Sequence, residues 1–185
     1  MRDRFDFSII RQIVFCGSVT LASIFFAGCA VKQSQPDAQP AVVAFAEPEH
    51  QYICVSDIYF GETTRAHTLS DGKTDVPVGQ WLAKLSAARF WTDSALKARG
   101  NPQPTVTAGF APGTGVRPAK GLRDVEVQVI LQFQIMRPTG NAYYDTVGGR
   151  ASAETIEVAS MQALNQALER MESVLANAGI CRQVQ

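Results

Sequence analysis

The sequence predicts an α+β fold: a two-layer sandwich, an antiparallel sheet with two helices on one face, in the order β-α-β-β-β-α. Three observations carry this. Val125, Val127, Val129, Leu131, Phe133 and Ile135 recur at period two, with Glu126, Gln128, Ile130, Gln132 and Gln134 between them. Such a strand has one apolar face and one mostly polar face, as in sheets covered on one side. Near the end, Ile156, Ala159, Ala163, Leu164, Ala167, Leu168, Met171, Val174, Leu175 and Ala178 form a broad stripe at helical spacing. A weaker stripe, Trp81, Leu85, Ala88, Trp91 (or Thr92), Ala95 and Leu96, predicts a second helix.

Each element follows from its local residues. Residues 52–60 are rich in β-branched and aromatic side chains and predict a strand. Residues 61–75 are polar, with Asp71-Gly72 as a turn signal, and predict a loop. Pro77 opens a helix expected to run to Arg99, closed by Gly100, with Lys97 and Arg99 favourable at its C-terminal end. Phe90 fits the stripe poorly, so a break is expected near Arg89. Residues 105–110 predict a short strand and 111–121, rich in Gly and Pro, an open mobile loop. After the long strand, Pro138-Thr139-Gly140-Asn141 is a turn, and 142–151 returns as the hairpin partner. Gly148-Gly149 is expected to weaken or bulge that strand. The last helix is expected over 153–178, with Gly179 as its C-cap and Ile180 folding back.

The N-terminal stretch has a different character. Arg2, Arg4 and Arg11 precede an apolar run from Ile13 to Gly28, the layout of a secretory signal. Phe26-Ala27-Gly28-Cys29 resembles a bacterial lipobox, although Phe26 stands where Leu is usual. The resemblance implies a signal peptide over 1–28, cleavage before Cys29, and several acyl chains (palmitate among them) on Cys29. One chain binds a membrane only marginally, so stable anchoring takes more than one. Ala30, rather than Asp, directs the expectation to the outer membrane, on its periplasmic face. The alternatives are an uncleaved membrane anchor, near the lower length limit for spanning, and ordinary cleavage leaving a free thiol. Residues 29–50 then read as a lipidated flexible tether, polar and proline-bearing around 33–40. Val42, Val43 and Phe45 interrupt it and are candidates to dock on the domain, which is expected over 51–185.

The 185 residues carry 17 basic and 17 acidic side chains. Loss of a signal holding three arginines and two aspartates would keep this balance. No basic surplus is present to neutralise phosphates, which argues against nucleic acid as a partner. Of the four cysteines, Cys16 lies in the signal and Cys29 takes lipid, leaving Cys54 and Cys181. In an oxidising compartment that pair is expected to form a disulfide joining the first strand to the tail; two separate buried thiols are the alternative. Their separation, with no His cluster nearby, does not suit a metal.

No catalytic motif stands out, and no catalytic residue, cofactor or metal is expected. His50 and His67 have no partners at fixed spacing. Asp71 and Asp75 lack the alternating ligands of a calcium loop. Gly113-Thr114-Gly115 lacks the residues of a phosphate cradle. Trp81, Phe90 and Trp91 form the densest aromatic cluster, read as core packing or as a groove for an apolar ligand or partner protein. Gln128, Gln132 and Gln134 are read as a solvated face or a docking surface.

Taken with the strand-turn-strand near 125–151 and the closing alanine-rich helix, the chain resembles small envelope lipoproteins of Gram-negative bacteria. Gln80-Trp81-Leu82 after the first strand is similar to the ABC-type transport auxiliary lipoproteins; the lipopolysaccharide-assembly-like lipoproteins are the second group it resembles. This implies a non-enzymatic accessory or assembly factor of an envelope transport complex, with an envelope protein as partner. The alternative is a lipoprotein binding lipid or another apolar ligand between helix and sheet.

Overall fold

The computed structural model describes residues 45, 51–95, 102–118 and 124–184. The expectations on the signal, on Cys29 and on most of the tether lie outside the described residues, as do those on Lys97, Arg99 and Gly100. One compact unit spans Ala41–Gln185.

The molecule is organised on the strand that the sequence marked most clearly. β8 (Val125–Met136) pairs along its whole length with β9 (Ala142–Ala153), through a turn in which Gly140 adopts φ +83°. Val127, Val129, Leu131, Phe133 and Ile135 are all buried, as the alternation predicts. Against them lies α3 (Ile156–Asn177), which contributes Leu164, Leu168, Met171 and Leu175 to the same core. Thr155 caps its N-terminus by accepting from the Val158 amide. At its C-terminus Gly179 (φ +70°) donates to Ala176 and Ile180 to Leu175, satisfying the last carbonyls and burying Ile180.

The glycine pair in β9 does not bulge it, which corrects the expectation. A Cβ on Gly149 would lie 1.9 Å from the Ala163 carbonyl oxygen and 2.8 Å from the Ala167 amide nitrogen. The missing side chain brings the backbones of β9 and α3 together, and the alanines opposite are small for the same reason.

The other edge of β8 is shared. β6 (Thr105–Phe110) pairs with its second half and β7 (Gly115–Pro118) with its first. Part of the expected loop over 111–121 is therefore strand. Between β6 and β7 the chain makes a bulge at Pro112-Gly113. There the Thr114 hydroxyl donates to the Ile130 carbonyl at 3.0 Å and accepts from the Ile130 amide at 2.9 Å. A side chain replaces one rung of the ladder, so the strand re-enters register without leaving Ile130 unpaired.

The first expected strand is two. β1 (Tyr52–Cys54) runs parallel to β5 (Phe90–Thr92) and antiparallel to β10 (Cys181–Gln183). β2 (Ile58–Phe60) runs parallel to β6, in the larger sheet. The chain changes sheets at Val55-Ser56-Asp57. Both parallel pairs depart from the purely antiparallel arrangement expected, and the strands form three sheets rather than one, within a fold whose α+β class is as predicted. A short helix, α1 (Glu62–Arg65), and a two-stranded ribbon, β3 (Leu69–Ser70) with β4 (Asp75–Val76), lead into α2 (Val78–Arg89). α2 packs beside α3 and ends at Arg89. It stops there because Phe90-Trp91-Thr92, aromatic and β-branched, gains more as a strand beside β1 than as another helical turn.

Candidate functional site

The two remaining cysteines stand opposite each other in the β1–β10 register and form a disulfide, Cys54–Cys181, with Cα atoms 4.0 Å apart. The bridge joins the first strand to the last across a sequence separation of 127.

The aromatic cluster is divided. Trp81 is half-buried and meets the Phe45 ring edge-on at 5.8 Å, with the Lys84 ammonium 5.4 Å from the same ring. Phe45 thus docks on α2 as the sequence suggested it could. Phe90 is buried against Tyr52, ring centroids 6.0 Å apart. Trp91, one residue on and therefore on the opposite face of β5, is 47% exposed. Phe90 and Trp91 line one cleft of about 330 Å³, and Trp81 is not among its lining residues. Of the three aromatic residues expected to share a groove, this cleft gathers two.

His67 stacks on Phe110 at 4.6 Å, a packing role. Asp71 accepts from the amides of Thr74 and Lys73, which hold its carboxyl below the usual range in a solvated turn. Among the described residues no three His, Cys, Asp or Glu side chains gather as a metal site would need.

One polar constellation escaped the sequence reading. Arg89, at the end of α2, donates to the Glu172 carboxylate and to Asn165 Oδ1 (3.0 Å), both on α3. Arg89 and Glu172 are both buried. The Tyr52 hydroxyl also engages Glu172: burial first, then that carboxylate, pushes its pKa up, so the phenol stays protonated. Any stability it supplies is present below the ordinary tyrosine pKa and lost as pH rises through the raised one. The signal was available, since Glu172 sits four residues after Leu168 and one after Met171, inside the apolar stripe. The network pins α2 to α3 and to β1. It is enclosed, and no cleft described above reaches it.

The open face of the five-stranded sheet is the broadest candidate surface. Odd-numbered residues of β8 and β9 face α3; even-numbered ones face away. This outer face carries Gln132, Gln134, Thr107, Tyr59 (52% exposed), Met136 (39%) and Tyr144 (60%). Gln134 donates to the Tyr144 hydroxyl at 2.9 Å across the β8–β9 pair. Thr107, Gly109, Gln132, Gln134 and Tyr144 border a shallow hollow of about 240 Å³ on it.

The outer edge of β9 is partly closed. Arg170 donates to the Gly148 carbonyl, and Gln166 accepts from the Arg150 amide at 3.1 Å. Side chains of α3 thus occupy backbone groups that an edge strand would otherwise present. At the other end, the Tyr143 hydroxyl donates to Asp145 at 2.7 Å. That bond, with the Thr146 amide second, holds the Asp145 carboxyl below its usual value and lifts the Tyr143 phenol.

No family model matches the chain, and no curated protein matches it. Among solved structures, a minor lipoprotein from Acinetobacter baumannii is similar at 13% identity and a TM-score of 0.37, over 69% of this chain and 94% of that one. A Xanthomonas campestris protein of the family DUF330 is similar at 12% identity and a TM-score of 0.36, over 77% of this chain and 88% of that one. At these values the likeness decides neither fold nor function.

Proposed function

We propose that this chain is a lipoprotein of the Gram-negative envelope, held by acyl chains on Cys29 at the periplasmic face of the outer membrane. There it acts as a non-enzymatic accessory of an envelope transport complex, docking on a protein partner through the open face of its larger sheet. The signal and Cys29 support the anchor. The Cys54–Cys181 disulfide is in keeping with an oxidising compartment.

The observation that carries the docking role is the composition of that face. Tyr59, Met136 and Tyr144 are exposed on a rigid sheet, interleaved with Gln132 and Gln134. Tyrosine and methionine are enriched where proteins meet, and glutamine supplies adaptable hydrogen bonds around them. The strands fix the backbone beneath these side chains, so no loop has to be ordered on binding.

Crosslinked co-purification from native membranes tests the proposal, with wild type beside Cys29→Ala and Tyr144→Arg. A stoichiometric envelope protein, recovered by wild type and lost with both variants, is expected. Recovery unchanged by Tyr144→Arg sinks the docking face, and recovery unchanged by Cys29→Ala sinks the need for the anchor.

A further inference from the structure

β9 has one edge on which no strand pairs among the described residues. Even-numbered residues of β8 turn their amides and carbonyls toward β6 and β7, as Ile130 does toward Ala111 and Thr114. Odd-numbered residues of β8 therefore bond to β9, opposite odd-numbered partners such as Tyr143 and Asp145. The even-numbered residues of β9 are left with their backbone groups facing outward. Side chains occupy three of these groups. Arg170 donates to the Gly148 carbonyl, Gln166 accepts from the Arg150 amide, and Asp145 Oδ1 accepts from the Thr146 amide at 2.7 Å. Among the described residues nothing caps the amide or carbonyl of Tyr144, or the carbonyl of Thr146. The edge is thus guarded by α3 over its second half and open over its first.

A cavity of about 340 Å³ adjoins the open half. Its apolar part is Ile135, Tyr143 and Val174, on the strands and on α3; Arg137, Asp145 and Asn177 give it a polar rim. On the other face of the sheet the Tyr144 ring stands 60% exposed.

We infer that the open half of β9 takes an extended peptide segment of a protein partner as an added strand. Unpaired amides and carbonyls at strand spacing are matched by another extended backbone, and side chains of the added strand then supply selectivity. Those side chains alternate between the two faces. The residue opposite Tyr144 falls beside its ring, and the residues opposite Tyr143 and Asp145 point to the side of the cavity, which has room for an apolar side chain. A second copy of this chain, pairing β9 with β9 along its length, would have to displace Arg170 and Gln166; a short segment needs only residues 142–146. The inference deepens the docking reading above and rests on it for the source of the segment, whose parent protein would lie on the open face beside Tyr144.

The Tyr144 amide can be altered alone, by incorporating the α-hydroxy analogue of tyrosine, which turns the N–H into an ester oxygen and keeps the phenol. β8 does not use this donor, so the fold should survive, as read by circular dichroism. The full chain in nanodiscs is panned against a library of linear peptides. Selected peptides are expected to protect the Tyr144 amide from hydrogen exchange. Calorimetry should show their binding weakened by roughly 3–10-fold in the ester, the loss of one neutral hydrogen bond. Asn177→Trp, at an exposed helix position lining the cavity, should abolish it. No selected peptide, or binding indifferent to either change, overturns the inference. The ester also enters the co-purification. A partner lost with Tyr144→Arg but retained by the ester leaves the docking face standing and overturns the added strand. Peptides that bind at the edge as described, with no partner recovered from membranes, uphold the strand site and sink the docking reading.

Discussion

Two adjacent glycines in β9 do different work, and a methyl group separates them. A Cβ on Gly149 would enter the backbone of α3 at Ala163, whereas one on Gly148 would meet the Val129 carbonyl oxygen at an ordinary 3.4 Å. Gly149→Ala should therefore cost about 3 kcal/mol, the upper part of the usual overpacking range. Gly148→Ala should change stability by less than about 1 kcal/mol. Urea unfolding of both variants checks this, and equal effects would remove the close-approach argument. From the sequence alone the pair read as a weak point in a strand, because a glycine shows what it lacks but not which backbone comes near. Two residues after Val147 on the same face, Gly149 sat at a core position, and that was the missed clue. Charge at this scale is equally local. Asp145 accepts from Tyr143, so it should titrate below an ordinary aspartate, its stabilising bond present at neutral pH and lost as pH falls through the lowered pKa. Tyr143→Phe should move that titration upward, read by carbon NMR of the carboxyl; an unmoved midpoint would reject the pairing.

Helices α2 and α3 show what periodicity can and cannot announce. The stripe from Ile156 to Leu175 placed α3 to within three residues at its start and one at its end, since nearly every stripe position faces one layer of core. α2 ends at Arg89, where the poor fit of Phe90 to the stripe predicted a break, rather than at Arg99, where the longer stripe would have carried it. What ends it is non-local: β1 offers Phe90-Trp91-Thr92 a parallel partner, and Arg89 swings to Glu172. The two helices are then held by a buried ion pair whose Coulombic gain is offset by desolvation. Removing one partner leaves the other charged and enclosed. Glu172→Ala should cost about 3–5 kcal/mol. The double replacement Arg89→Met with Glu172→Leu should regain most of that, since both sites are buried beside apolar side chains. Denaturant midpoints of the single and double variants decide it. If the double falls as far as the single, Asn165 and Tyr52 depend on the pair for more than charge balance.

At the scale of the whole chain, β1 is the junction. It pairs with β5 on one side and β10 on the other, then passes into β2 and the larger sheet. Neither parallel pair was legible beforehand, because a parallel partner is chosen by the crossover between strands and leaves no local pattern. The disulfide was legible, for a simple reason: once Cys16 and Cys29 are assigned to the leader and its lipid, two thiols remain. Their bridge encloses nearly the whole domain, at a separation of 127 residues. In the chain-entropy view, closing a loop of that length in the unfolded state is worth about 5 kcal/mol. The short strands β1 and β10, three residues each, have few hydrogen bonds of their own to resist fraying. Without the bridge, the ends of the domain should separate before the β8–β9–α3 core does. Cys54→Ser with Cys181→Ser should lower stability by about 5 kcal/mol if unfolding remains a single transition. Hydrogen exchange separates two ways of reaching that loss. Faster exchange confined to the amides of Ile53, Val55 and Val184, with the β8–β9 amides still protected, would show the bridge fastening the ends of the chain. A uniform rise across β8 and β9 as well would show it acting on the unfolded chain alone, as loop closure demands.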